Sequence, residues 1–377
     1  MTEQQVKSRV YVADHGETLS TKRKMILPLQ AVRAIACMMI FVYHGIGSRI
    51  QFAGVWGVSV FFVLSGFVLV YSYWDRPIIN PTIKDAATFS WNKIKKLFPL
   101  HVIMLIVGLI RELLQEQDTI VHYIMKLGLT IPLLQTWSPI GYQALNSVDW
   151  YLSVTLFLYF VFPFILNRLK KQSPNRNNVL LIISSIYCTQ IVVGALFNYL
   201  LPNINIKWIV YCFPLYRLGD FAIGCLLGYL FTVTPDNLSL LKKKSSMAEW
   251  LIVLLTIISW TVYYFSNESL QWLTYTCLFL PFSAGLIIIF AKGDGCVSRI
   301  ITNRLTLFLA GISSYFFLIH RQMLYYVQAG IKKIFHIETN TYLNLAIFLI
   351  ISFALTLLAV AIYKMIDKWM HKKTVNS

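Results

Sequence analysis

Residues 54–74 read GVWGVSVFFVLSGFVLVYSYW, an uninterrupted stretch without a single charge. A helix needs about 20 consecutive apolar residues to cross the hydrocarbon core of a bilayer, so this stretch is long enough to span one. The run before it, 26–47, reads ILPLQAVRAIACMMIFVYHGIG and carries two ionisable groups, Arg33 and His44. Working outward by the same criterion marks further spans at 97–114, 148–166, 178–200, 208–232, 249–265, 271–291, 305–327 and 342–365, ten in all. The apolar stretch 120–137 is interrupted by Lys126 and Pro132 and reads as an interfacial or re-entrant segment.

Composition agrees with that pattern. Of 377 residues, 57% are hydrophobic and 13% charged, with a mean hydropathy of +0.63. Ordinary soluble domains sit near ~45–50% and ~25%. A soluble enzyme needs a polar exterior that this composition does not supply. A disordered chain would be poor in aromatics, and this one is 15% Phe, Trp and Tyr. The expected fold class is therefore an all-α polytopic membrane protein of about ten transmembrane helices.

The net charge of +17 would suggest nucleic acid in a soluble protein, but membrane proteins concentrate Lys and Arg on cytoplasmic loops. With the N-terminus placed inside, 24 of the 33 Lys and Arg fall on inside segments and two, Arg33 and Arg217, within spans. The seven outside are Arg49, Arg111, Lys126, Lys207, Arg321, Lys332 and Lys333. Counting 120–137 as a span would reverse every later loop, so both termini are expected to be cytoplasmic. The division is a tail at 1–25, one membrane domain at 26–366 and a tail at 367–377. No nucleic-acid partner is expected; the lipid bilayer is. The six cysteines show no paired spacing, so neither disulfides nor a metal site is expected. The tail of more than twenty polar residues does not read as a cleavable signal peptide, and the two halves lack the paired broken helices of a repeat-built transporter.

Charges at membrane depth cost at least ~2.5–3.5 kcal/mol each and need an explanation. Arg33 and His44 are 11 residues apart, which is ~20° beyond three helical turns, so both point from one face about 16.5 Å apart along the axis. A structural carboxylate for Arg33 and a snorkelling His44 would account for either residue alone. The shared face points to a site: a permanent cation at the inner end and a titratable base at the outer end.

Arg33 and His44 make an Arg-x10-His helix, followed by Gly57-Val58-Ser59-Val60-Phe61-Phe62-Val63-Leu64-Ser65-Gly66-Phe67. Four further segments follow in order: Lys93-Ile94-Lys95-Lys96-Leu97-Phe98-Pro99; Trp150-Tyr151-Leu152-Ser153-Val154 with Tyr159 and Pro163; Arg217-Leu218-Gly219-Asp220-Phe221 with Gly224 and Gly228; and Gly311 through Ser314-Tyr315 to His320. Over residues 26–370 this set resembles the membrane-bound acyltransferase-3 family, whose members acylate hydroxyls of bacterial surface saccharides. The chain departs from the family's pattern at Lys93 and Lys96, where Arg is commoner, at Thr155, where many relatives carry Glu, and at Asp367-Lys368-Trp369, which replaces Glu-x-Pro.

The resemblance implies transfer of a small acyl group, acetyl above all, from cytoplasmic acyl-CoA to a hydroxyl of O-antigen, capsule or exopolysaccharide, at a bacterial inner membrane. Acetyl-CoA enters as a donor substrate, with no tightly bound cofactor. His44 is the candidate general base, since imidazole titrates in the useful range. Arg33 is a candidate catalytic residue with it, and Arg33, Lys93 and Lys96 are the candidate ligands of the CoA phosphates.

Other candidates are compatible with structural roles. His320, near the outer end of its helix, could orient a sugar or assist proton movement. Arg217 and Asp220, at i and i+3, are spaced to pair with each other. Asp149 reads as a helix cap. Trp150 and Tyr315 enter through the resemblance alone, on the acceptor side. Ser65-Gly66 suits close helix packing more than a nucleophile, and Trp56 and Trp74 suit interface anchors. The rival class is a transporter or flippase, in which Arg33, His44, Arg217 and Asp220 would form a substrate or proton path.

Overall fold

Local chemistry sets where the helices begin. In α1 (Leu27–Ile46), Pro28 occupies the first turn, where no backbone N–H is required. Helix α2 (Gln51–Tyr73) follows after a short 3-10 turn. Thr82 and Asp85 form a reciprocal capping box at the start of α3 (Ile83–Ile94). Pro99 then opens α4 (Phe98–Leu114), and the axis bends by 65° between α3 and α4, because a proline cannot continue the preceding hydrogen-bond ladder. The remaining helices are α5 (Ile120–Thr130), α6 (Trp150–Gln172), α7 (Arg176–Leu200), α8 (Pro214–Val233), α9 (Ser245–Tyr264), α10 (Gln271–Thr274), α11 (Leu280–Lys292), α12 (Cys296–Ile301), α13 (Arg304–Phe335) and α14 (Tyr342–Val375). These come from a computed structural model, which describes residues 23–76, 80–115, 118–201, 203–233, 245–336, 338 and 341–375; no strand occurs among them.

Among the described residues, seven helices are long and apolar enough to cross a membrane: α1, α2, α6, α7, α9, α13 and α14, or eight if the bent α3–α4 pair is one span. All seven coincide with expected spans. The remaining expected spans take other forms. Residues 97–114 are the second limb of the bent pair. Residues 208–232 are split between a π-helical turn at Trp208–Cys212 and α8, which carries Arg217 and Asp220. Residues 271–291 are broken into a single turn and a 13-residue helix, shorter than a bilayer. The 120–137 stretch holds an 11-residue helix whose chain turns at Leu133, with φ of 60°.

The centre of the bundle is α2, almost wholly buried, and its neighbour α8 approaches it backbone to backbone. A Cβ on Gly66 would lie 2.2 Å from the Phe221 carbonyl oxygen, and one on Gly224 would lie 2.1 Å from that of Val63. These contacts agree with the packing role read for Ser65-Gly66. Gly57 does the same against α1, where a Cβ would lie 2.8 Å from the Ala36 oxygen. Small residues thus draw α1, α2 and α8 together, the device by which membrane helices gain close van der Waals contact. Helices α7, α9 and α14 lie outside, with Leu181, Leu254 and Ile350 exposed as a lipid-facing surface requires. The protein is a multi-pass membrane protein.

Candidate active site

Helix α1 runs alongside α13. The Arg33 guanidinium donates to Ser314 Oγ at 2.6 Å, the Cys37 thiol approaches the Ser313 carbonyl at 3.7 Å, and His44 meets His320 at 2.8 Å. Arg33 and His44 therefore do present one face, and α13 lies against it in the same direction. Each end of this stripe opens into its own cavity.

The cavity at the Arg33 end is about 320 Å³ and is walled largely by apolar and aromatic side chains, with Ser65, Tyr151, Thr155 and Tyr159 among the polar ones. No ion pair among the described residues includes Arg33. The carboxylate partner of the structural alternative is not found there, and the guanidinium remains available to an anion. Lys93 also lines this cavity; its ammonium donates to the Tyr73 hydroxyl at 2.6 Å and lies 4.8 Å from the Tyr73 ring centre. Arg76 stacks on the same ring at 4.0 Å, while Lys170 donates to the Arg76 carbonyl at 2.5 Å. A collar of cations thus surrounds Tyr73, where sequence reading saw only separate loop charges. Nearby, Arg23 donates to both oxygens of Asp75, which holds that carboxyl below the usual carboxylate range. Lys96 is not brought to the cavity: both lysines are exposed, but Lys93, in α3, reaches the lining, whereas Lys96, in the turn between α3 and α4, does not.

The cavity at the His44 end is about 280 Å³ and more polar, lined by His44, Gln51, Gln143, Lys207, Trp150 and Arg321 among others. Here the hydrogen-bond chain assigns the protons. His320 Nδ1 faces the carbonyl oxygens of Phe317 at 2.7 Å and Phe316 at 3.2 Å, so it must be the N–H nitrogen. In a neutral His320 this leaves Nε2 as an acceptor, and His44 Nδ1 is the donor that fills it. His44 Nε2 is then the nitrogen with a free lone pair. His320 is a positioning group that selects the tautomer, and it is 1% exposed while His44 is half-buried beside the cavity.

Phe317 belongs to the lining of both cavities. Its ring lies 5.3 Å from Tyr151 and 6.2 Å from Phe61, which are 5.8 Å from each other, centre to centre. Phe317 thus stands between the two chambers, with Phe61 and Tyr151 packed on it from the Arg33 side.

The other candidates sort by their contacts. Arg217 and Asp220 are fully buried and joined at 2.6 Å; Tyr211 accepts from Arg217 and Gln190 donates to Asp220. They pair with each other as their spacing allowed and line neither chamber. Tyr315 packs on Tyr363 at 5.6 Å and beneath Lys364, again outside both chambers. Asp149 corrects the reading of a cap. It stands at the N-cap position of α6 but makes no cap bond there; its carboxylate is taken by His101 Nδ1 at 2.7 Å and Asn146 Nδ2 at 2.7 Å. His101 Nε2 faces the Thr130 carbonyl at 3.1 Å, and Asn146 also donates to the Leu318 carbonyl at 3.0 Å. This network ties α4, α5 and α6 to α13 within one turn of His320. Sequence reading missed His101 altogether, and counted Lys207 and Arg321 only as outer-loop charges. The signal for Arg321 was its place beside His320 inside an apolar run.

Comparison with known proteins agrees with the earlier resemblance. A family model described as an acyltransferase domain, acyltransferase-3, matches residues 27–364. Over 151 residues the chain is 34% identical to the acyltransferase MdmB of Streptomyces mycarofaciens, an alignment covering 38% of this chain and 36% of that protein. The chain thus matches little more than a third of the length of that relative. No solved structure matches. The protein belongs to the acyltransferase-3 family of membrane acyltransferases.

Proposed function

We propose that the protein is an O-acetyltransferase of a bacterial inner membrane, moving acetyl from cytoplasmic acetyl-CoA to a hydroxyl of a surface or lipid-linked saccharide. The observation that carries this reading is the pair of chambers served by one helix face, Arg33 without an ion-pair partner in one and His44, hydrogen-bonded to His320, in the other. CoA phosphates suit the collar at Lys93, Arg76 and Lys170. The apolar walls beyond it suit the pantetheine arm, with Arg33 offering fixed hydrogen-bond geometry deeper in.

A sugar hydroxyl attacks a thioester poorly until its proton is removed in the transition state. His44 Nε2 takes that proton as the hydroxyl oxygen bonds to the carbonyl carbon. The C–S bond then breaks, the ester forms, and the departing sulfur recovers the proton from the imidazolium. His320 holds Nδ1–H of His44 throughout, as a positioning group does in other histidine bases. Until the acceptor is bound the Phe317 ring stands between the thioester and water on the sugar side, and it turns aside for the hydroxyl and the thioester to meet at His44.

The test is proton NMR of surface glycans from cells making the wild-type protein, His44→Ala or neither. An ester-linked acetyl signal confined to the wild type is the expected result. Identical spectra, with both proteins confirmed in the membrane, would remove saccharide acetylation in that host and return weight to transport.

A further inference from the structure

The cation pair at the His44 end carries a second conclusion, which rests on the transferase reading above. Three other cations at helix depth or near it have carboxylate partners, whereas Arg33 has none among the described residues. Arg217 has Asp220 at 2.6 Å, Lys126 has Glu112 at 2.7 Å and Asp118 at 2.5 Å, and Arg111 has Glu112 at 3.2 Å. Lys207 and Arg321 share the 280 Å³ chamber with His44, yet the lining of that chamber holds no Asp or Glu. Neither takes part in any ion pair among the described residues.

What they do touch is neutral. Arg321 donates to the His44 carbonyl at 3.2 Å and to the Tyr325 hydroxyl at 2.5 Å, and stacks 4.2 Å from the Tyr325 ring centre. Its Nε is buried without a hydrogen-bond partner. Lys207 lies 5.9 Å from the Tyr275 ring centre. These contacts hold the two cations in place without neutralising them, and two like charges facing one low-dielectric chamber repel. Mutual repulsion and an orphaned guanidinium nitrogen are both relieved by one negatively charged group. Arginine offers a carboxylate or phosphate its planar fork, and lysine adds a point charge beside it. Gln51 and Gln143, on the same lining, supply the neutral polar contacts that sugar hydroxyls require.

We infer that this chamber receives an anionic saccharide, whose carboxylate or phosphate sits between Lys207 and Arg321 while its reacting hydroxyl lies at His44 Nε2. The anion could belong to the sugar itself, as in a uronic acid, or to a phosphate linking the sugar to lipid. Either source uses the same two cations.

Equilibrium binding to the purified full chain in nanodiscs tests this with three probes: methyl glucuronide, glucose 1-phosphate and methyl glucoside. At low salt at least one charged probe is expected to bind about 10-fold or more tightly than the neutral one, since hydrogen bonds to charged groups are the stronger ones. High salt should narrow the gap. Lys207→Gln and Arg321→Gln should each lower the ratio several-fold and together bring it close to one, and Lys207→Arg should keep it; binding of acetyl-CoA to each variant reports that it has folded. Preference for the glucuronide assigns the anion to the sugar, and preference for the phosphate assigns it to the linkage. Equal or tighter binding of the neutral glucoside, or a preference that survives undiminished in the combined Gln variant, overturns the inference. The same preparation is then given acetyl-CoA. Charge-selective binding with no acetyl transfer to any probe leaves this inference standing and counts against the transferase reading. Transfer to the neutral probe as efficiently as to the charged ones does the reverse.

Discussion

The two chambers on either side of Phe317 have similar volumes and opposite characters. At the Arg33 end, one guanidinium stands among apolar and aromatic walls, with Lys93 on the lining and, through Tyr73, linked to Arg76 and Lys170 beyond it. At the His44 end, imidazole, two further cations and two glutamines face one another across a more polar space. The first suits a long, partly apolar molecule anchored by a charged end; the second suits a compact molecule rich in hydroxyls. Because α1 supplies a key residue to each, the same backbone segment fixes the distance between them. Division of labour between the ends therefore follows from one helix face and what packs on it.

The sharpest way to break this comparison is to remove the base. His44→Ala is expected to lower kcat by about 10²–10⁴-fold, the usual contribution of a positioned general base. Binding of acetyl-CoA, measured separately on the same preparation, should stay within about twofold of wild type if uniform donor binding resides at the other end. A matching loss of donor binding would mean that the chambers are not independent. Arg33→Lys probes the opposite end with a smaller effect. The charge is kept but the fork that reaches Ser314 is lost, so kcat/KM for acetyl-CoA should fall about 10-fold, the size of one lost hydrogen bond to a charged group. Saturating acceptor should not rescue it. If acceptor KM rises instead, Arg33 belongs to the sugar side and the assignment of the ends is reversed.

Much of this arrangement could be read from residue order, and the parts that could not share a cause. The interval from Arg33 to His44 sets a common face through helical geometry alone, and the structure places both against α13. The apolar runs located seven long helices. Hydropathy could not separate α2 from α7, which are equally apolar although one is buried and the other faces lipid. What distinguishes them is the glycine set of α2, whose meaning depends on Gly224 more than 150 residues away. The same limit explains Asp149. A carboxylate at a helix start reads as a cap, whereas His101, 48 residues earlier, takes it in the fold. It explains Lys207 and Arg321 too, since a loop charge and a helix charge become one site only when the chain closes. The break at 271–291 has a local cause in hindsight: Pro281 opens α11 and confines it to 13 residues.

The partition itself offers the subtlest test. Phe317, Phe61 and Tyr151 meet at their rings, and Phe317 is the member that touches both chambers. Its carbonyl also holds His320 Nδ1, so the backbone at this position serves the base while the side chain serves as the wall. Phe317→Ala would remove too much, since deleting a buried aromatic ring costs about 3–5 kcal/mol. Phe317→Leu keeps an apolar side chain and the backbone contact but thins the wall on both faces. The expected result is a several-fold rise in acetyl-CoA hydrolysis without acceptor, because water from the polar chamber reaches the thioester. Phe317→Tyr, which keeps the ring, should leave hydrolysis near the wild-type rate. Melting temperatures of both variants close to wild type would tie the difference to the wall and not to a loosened bundle. If Phe317→Leu melts normally and hydrolyses no faster, the two chambers are kept apart by something other than this ring, and the donor's path would have to be sought along another side of α1.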